Sequence, residues 1–152
     1  MKRVFTSAAE ALEAVGSELG KSDWLEITQD RVNQFADATG DHQWIHVDVE
    51  RAKSSPFGGT IAHGFLSLSL IPMLAAQIYG FENVKMALNY GSNKVRFPSP
   101  VLVGSKVQLT TTLAEATELP DGAVQVVFGH SLAIEGATKP ALVSEMVVRV
   151  LF

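Results

Sequence analysis

The chain has 152 residues, of which 47% are apolar and 18% charged, and a net charge of -4 at neutral pH. That length suits one domain with room for a core, and the composition is globular rather than disordered or fibrous. Its 12 Lys and Arg are scattered rather than clustered against phosphates, so no nucleic-acid partner is expected, and the absence of Cys excludes disulfides, thiol catalysis and thiolate metal sites.

Behind Lys2 and Arg3, the acids Glu10, Glu13 and Glu18 interrupt any apolar stretch. No signal peptide is read, and the expected compartment is the cytoplasm. Ser7, with Glu10 three residues on, makes a capping box for a short helix that Gly16 closes. Asp23 to Ile27 reads as a short strand. Thr28 then caps a second helix in which Val32, Phe35, Ala36 and Thr39 recur at helical spacing before Gly40 stops it. Residues 41–60 read as a long irregular loop, broken by Ser54-Ser55-Pro56-Phe57-Gly58-Gly59, and loops of that length inside compact domains are usually functional. From His63 to Tyr79 runs an apolar helix with no polar face, expected to be buried on every side. Ser67, Ser69, Pro72 and Gln77 interrupt it, which argues for a core helix over a membrane span, so no membrane partner is expected.

The period then changes to two. Val84, Met86, Leu88 and Tyr90 hold even positions, while Val95 and Phe97 hold odd ones. A phase switch at Gly91-Ser92 predicts a bulge in one long strand that Pro98 and Pro100 end. Further strands are expected over 107–113, 124–134 and 142–150, with turns at Asp121-Gly122 and Glu135-Gly136. One buried helix followed by closely connected strands predicts an α+β architecture, an antiparallel β-sheet of about five strands wrapped around a long central helix, as a single domain over 1–152. Such a sheet leaves an edge exposed, and a homodimer that extends it is expected.

The chemistry concentrates in Asp41-His42-Gln43-Trp44-Ile45-His46-Val47-Asp48, four ionisable groups in eight residues. An acid and a His facing one cavity can divide labour, the carboxylate orienting or deprotonating a water while the imidazole moves a proton. Two other readings fit the spacing. One is a solvated loop whose acids cap turns; the other is a metal site built from His42, His46 and Asp48 with His63. A second feature is Gly59-Thr60-Ile61-Ala62-His63-Gly64 at the entry to the apolar helix, where the Gly64 amide can meet a developing oxyanion; the alternative is that Gly64 permits tight packing and His63 caps. Asn89, Asn93, Lys94 and Arg96 form a polar stretch near the bulge that can line a ligand channel, with Arg96 available to a phosphate. His130 shares a face with Val126, Phe128 and Leu132 and reads as a core histidine.

On these residues the chain resembles the MaoC-like, (R)-specific enoyl-CoA hydratase family of hot-dog proteins. Phe35, Gly40, Asp41, His46 and Ala52 fill the places of that family's signature, and His63-Gly64 before the apolar helix matches its second landmark. Leu88-Asn89-Tyr90-Gly91 and Lys94-Val95-Arg96-Phe97-Pro98 look like the nodulation-protein-N-like branch. The chain departs from the family in carrying Gln43-Trp44 where Asn-Pro is common. The resemblance implies a hot-dog fold and hydration of a trans-2-enoyl-CoA to an (R)-3-hydroxyacyl-CoA. Asp41 and His46 would be the acid/base pair and the Gly64 amide the oxyanion donor, with Gln43, His63, Asn89 and Arg96 on the substrate. No metal and no cofactor are implied, and coenzyme A is part of the substrate. Two rival functions remain open, a hot-dog thioesterase and a non-catalytic acyl-thioester-binding module; the absence of Asp and Glu from His63 to Tyr79 weighs against the first.

Overall fold

The computed structural model describes residues 1–152. It begins with β1 (Arg3–Phe5), α1 (Ala8–Glu13), β2 (Glu18–Lys21) and β3 (Leu25–Glu26). Ser7 caps α1 by accepting the Glu10 amide at 3.4 Å, and the Glu10 carboxylate reaches back to the Thr6 amide at 2.7 Å. Thr28 accepts the Arg31 amide at 3.2 Å and opens α2 (Gln29–Thr39). That helix ends where Gly40 adopts a φ of 81°, the left-handed conformation that glycine takes without a Cβ clash.

Residues 41–60 are more regular than expected. They hold two single-turn helices, α3 (Trp44–Val47) and α4 (Val49–Ala52), and Asp48 caps the second by accepting the Arg51 amide at 3.0 Å. The apolar run from His63 to Tyr79 is likewise two helices, α5 (Gly64–Ser69) and α6 (Ile71–Ile78), joined at Leu70, whose backbone stays right-handed. Pro72 in the first turn of α6 has no N–H for the turn before it, which accounts for the joint. The expectation of burial on every side is also corrected. Leu66, Leu70, Ile71, Leu74 and Ile78 enter the core, whereas Phe65 is 71% exposed and Pro72, Met73, Ala76 and Gln77 are exposed with it. A helix lying against one concave sheet has one side left over. No helix is long and apolar enough to cross a membrane.

After β4 (Tyr79–Phe81), which pairs in parallel with β1, come β5 (Met86–Arg96), β6 (Lys106–Glu118), β7 (Val124–Ile134) and β8 (Leu142–Leu151). The main sheet has six strands in the order β2-β6-β7-β8-β5, with β3 also on β6, and every pairing is antiparallel. It curls around α5 and α6 over an apolar cluster that includes Leu74, Leu109, Leu132 and Leu142; a second cluster around Phe5, Phe128 and Val150 secures the N-terminal segment. The strand expected at Asp23–Ile27 shrinks to Leu25–Glu26. β1 and β2 are too short to show a period of two, so the pattern of residues carries no signal for them.

The bulge in β5 is present, as register shifts between Asn89 and Gly91 and between Ser92 and Lys94. The face assigned by the even-position pattern is not the inward one. Ala87 and Asn89 pair with Val150 and Val148, which pack on the inner cluster, so Met86, Leu88 and Tyr90 point outward, where the Arg149 guanidinium covers the Tyr90 ring at 3.6 Å. β5 is also the end of the sheet, and Met86 and Leu88 stay about half exposed there.

One polar row crosses the inner face. Thr111, His130 and Ser144 are direct neighbours on β6, β7 and β8, bracketed by the apolar rows Leu109-Leu132-Leu142 and Leu113-Phe128-Met146. The Thr111 hydroxyl meets His130 Nδ1 at 3.0 Å. Burial lowers the His130 pKa from an ordinary 6.5 to about 4. As pH falls through 6.5 the unfolded chain takes up a proton at this position and the native chain does not until about pH 4, so stability is lost across that window. Urea titration at pH 7 and pH 4.5 should show a fall of up to about 3 kcal/mol from this group, and the His130→Gln variant should lack that share of the loss.

Candidate active site

Three segments meet at the N-terminal end of α5. Gly40, by ending α2 in the left-handed conformation, turns the chain so that Asp41 follows directly; α3 carries His46; and the stretch before α5 carries His63. His46 is 6% exposed and His63 2% exposed, and their rings stack with centroids 3.9 Å apart. Phe35, on α2, closes the other side of His63 at 4.9 Å.

Each imidazole is oriented by a backbone carbonyl. His46 Nδ1–H donates to the Ile61 carbonyl at 2.7 Å, and His63 Nε2–H donates to the Asp41 carbonyl at 2.9 Å. A carbonyl oxygen only accepts, so these bonds fix the tautomers and leave a lone pair on His46 Nε2 and on His63 Nδ1. His63 Nδ1 has no partner in the chain. The Asp41 carboxylate accepts the Gln43 amide at 3.3 Å, an arrangement that turns the loop back toward the helix. One ligand atom each of Asp41, His46 and His63 lies within 4.8 Å of the other two. The trio can share a water or a proton, and the same atoms have the composition and spacing of a site for one divalent cation.

Burial lowers the His46 pKa from 6.5; the bond to Ile61 opposes this, His63 adds to it and Asp41 opposes it. The ring is therefore neutral at pH 7, with Nε2 free to accept a proton. His42 behaves differently. It is exposed and paired with Asp37 at 2.9 Å, and that bond raises its pKa. Asp48 is engaged in capping α4. The metal set of His42, His46, Asp48 and His63 is thus not assembled, and only His46 and His63 of the four come together.

A cleft of about 320 Å³ opens beside His46, lined also by Gly64, Ser67, Ile61, Phe57 and Phe97. Gly64 is the first residue of α5, where an amide has no acceptor within the helix. A Cβ at Gly64 would lie 3.3 Å from the Phe97 ring, so a side chain here would push that wall of the cleft. Ser67 is buried and lines the cleft one turn into α5, a position that composition and spacing gave no reason to single out. Of the other expected substrate contacts, Gln43 is exposed and its side chain bonds nothing in the chain. Arg96 donates to the carbonyl of Val95, and Asn89 lines a separate hollow beside α6. Gln29, not foreseen, latches the site from outside: its amide nitrogen donates to the His46 carbonyl at 2.8 Å and its oxygen accepts the Thr60 hydroxyl at 2.6 Å.

Comparison with known proteins identifies the family. Residues 10–131 match the model of the MaoC-like domain. The chain is 54% identical over 147 residues to 3-hydroxyacyl-thioester dehydratase Z of Mycobacterium tuberculosis, covering 97% of each protein. It is 42% identical over 150 residues to nodulation protein N of Rhizobium leguminosarum bv. viciae, covering 96% of this chain and 92% of that one. In fold it is similar to the (R)-hydratase of A. caviae, with a TM-score of 0.72 at 24% identity over 88% of this chain and 94% of that one. The chain belongs to the MaoC-like dehydratase family, in its nodulation-protein-N-like branch, and is a hot-dog-fold enzyme of the hydratase/dehydratase type.

Proposed function

We propose that the chain is an (R)-specific enoyl-CoA hydratase that adds water to a trans-2-enoyl-CoA and, in reverse, dehydrates an (R)-3-hydroxyacyl-CoA. The observation that carries the reading is a neutral, buried His46 that lines an apolar cleft with its Nε2 unengaged and has the Asp41 carboxylate within reach, one ligand atom of each lying within 4.8 Å of the other. In the hydration direction Asp41 orients a water and His46 Nε2 takes its proton as the oxygen bonds to C3. The imidazolium so formed, steadied by Asp41, returns that proton to C2, and the elements of one water end on C3 and C2. Negative charge gathers on the thioester oxygen as C3 is attacked, and the Gly64 amide, which has no acceptor within α5, donates to it. No step draws on a resident metal or redox cofactor. The relative named for a 3-hydroxyacyl-thioester supports this substrate class. A thioesterase would call for a carboxylate on the central helix, and α5 and α6 hold none.

The unpaired β5 edge supports a homodimer. Met86, Leu88 and Tyr90 stand exposed on an 11-residue edge strand. A second copy pairing there extends the sheet and covers them.

Loss of the enoyl-thioester absorbance with crotonyl-CoA, followed by chiral analysis, should give the (R)-3-hydroxy product. Asp41→Asn and His46→Gln should each lower kcat/KM by about 100-fold or more while leaving thioester affinity near that of the parent. Protonated His46 cannot accept the water's proton, so the hydration rate should fall on the acid side with an inflection below 6.5 that disappears in His46→Gln. Tight binding without turnover would instead identify a binding module. Light scattering should report about twice the 16.3 kDa of one chain, and Leu88→Lys should shift the population to monomer.

A further inference from the structure

Beside α6 lies a second hollow of about 150 Å³, separate from the catalytic cleft, walled by Ile71, Ala75, Tyr79, Met146 and Val148. Its lining is apolar except at two points, Asn89 and His130. His130 is buried, its Nδ1 is engaged with Thr111, and its Nε2 has no partner in the chain. Ser144, the cross-strand neighbour of His130, is 4% exposed and its hydroxyl is also without a partner. Three polar side chains in the middle of an apolar sheet face thus share one hydrogen bond. Of these, His130 is the one that also lines the hollow, and a ligand there can supply the partner that the chain does not give its Nε2.

Position supplies the second argument. Gly64 and Ser67 line the cleft, Ile71 and Ala75 line the hollow, and the spacings of three and four residues put all four on one side of the nearly continuous α5–α6 helix. Opposite them, Ala87 and Asn89 of β5 line the hollow, and Phe97, the residue that follows β5, lines the cleft. The two spaces therefore lie along one strip between the central helix and the sheet edge. From Gly64 to Ile71–Ala75 the helix rises about 10 to 16 Å, the reach of an acyl chain of roughly eight to twelve carbons.

We propose that this hollow is a specificity site for the far end of an acyl thioester whose tail carries a hydroxyl, and that His130 is the residue that reads it. The chemistry favours a hydroxyl over other oxygen groups. The Thr111 hydroxyl can donate to His130 Nδ1 or accept from it, so Nε2 faces the hollow either as N–H or as a lone pair; a hydroxyl, both donor and acceptor, pairs with either form. An all-alkyl tail would fill the apolar walls and leave Nε2 unpaired in a dry space, a mismatch that sites built for a hydroxyl penalise strongly.

The identity of the thioester rests on the hydratase reading, and the test separates the two. Full-length protein is assayed with 10-hydroxy-trans-2-decenoyl-CoA and with trans-2-decenoyl-CoA, and the ratio of their kcat/KM values is the readout, because differences in folded fraction cancel within it. The expected ratio is about tenfold or more in favour of the hydroxylated substrate. His130→Gln, which keeps a hydrogen-bonding group, should retain the preference, and His130→Leu should reverse it. A ratio near one or below in the parent protein, or a preference that survives His130→Leu, overturns the proposal. Crotonyl-CoA, whose four carbons end short of the hollow, reports on the hydratase reading alone. If no enoyl thioester is turned over, the same ratio is read from the two decenoyl affinities by calorimetry.

Discussion

Two stacked imidazoles, each donating one ring N–H to a backbone carbonyl, hold the working end of the molecule together. The bond from His63 to the Asp41 carbonyl ties the start of α5 to the loop after α2, and the bond from His46 to the Ile61 carbonyl ties α3 to the strand-like approach to α5. Because these acceptors belong to the main chain, the rings cannot swing without moving the segments that carry them. The same bonds choose the tautomers, and burial keeps His46 neutral. Geometry and protonation state thus have one origin, the withdrawal of two adjacent histidines from water.

The rest of the fold serves that arrangement. The sheet wraps α5 and α6 closely enough to bury Leu66, Leu74 and Ile78, and in doing so aims the N-terminal end of α5 at the Asp41–His46 pair. The cavity left along the helix is walled on one side by β5, whose phase is reversed with respect to its apolar residues: small Ala87 and polar Asn89 face inward, and Met86, Leu88 and Tyr90 face out. An edge strand arranged in that way presents open space to a ligand inside and an apolar surface to a partner outside.

Polar groups are retained inside this protein at two places with opposite characters. At the His46–His63 stack, main-chain carbonyls and Phe35 satisfy or enclose most of the ring surface. Along Thr111, His130 and Ser144 a single side-chain bond, from Thr111 to His130, serves three polar groups on the sheet face that packs against the helix, and the Ser144 hydroxyl is left without a partner. Desolvation depresses the pKa of His46 and of His130, more severely at His130, where nothing opposes it.

Much of this was legible in the order of residues alone. The caps Ser7 and Thr28, the stop at Gly40, the bulge near Gly91 and the strands β6 to β8 follow from side-chain chemistry and period, which are local properties. The grouping of Asp41, His46 and Gly64 at the two ends of one connection was visible as spacing and as a family resemblance. Other features were hidden because they depend on partners distant in sequence. β1 and β2 are strands only by virtue of β4 and β6; the helix at residues 64–78 keeps an exposed side because the sheet covers just one face; and the inward face of β5 is set by register with β8, which a one-residue bulge can invert. Likewise the sequence by itself determined that an acid and two histidines stand near the start of an apolar helix. Tertiary packing decided that His42 turns away to Asp37 while His46 and His63 stack, since a loop histidine is placed by whichever carbonyl or carboxylate the folded chain brings within reach.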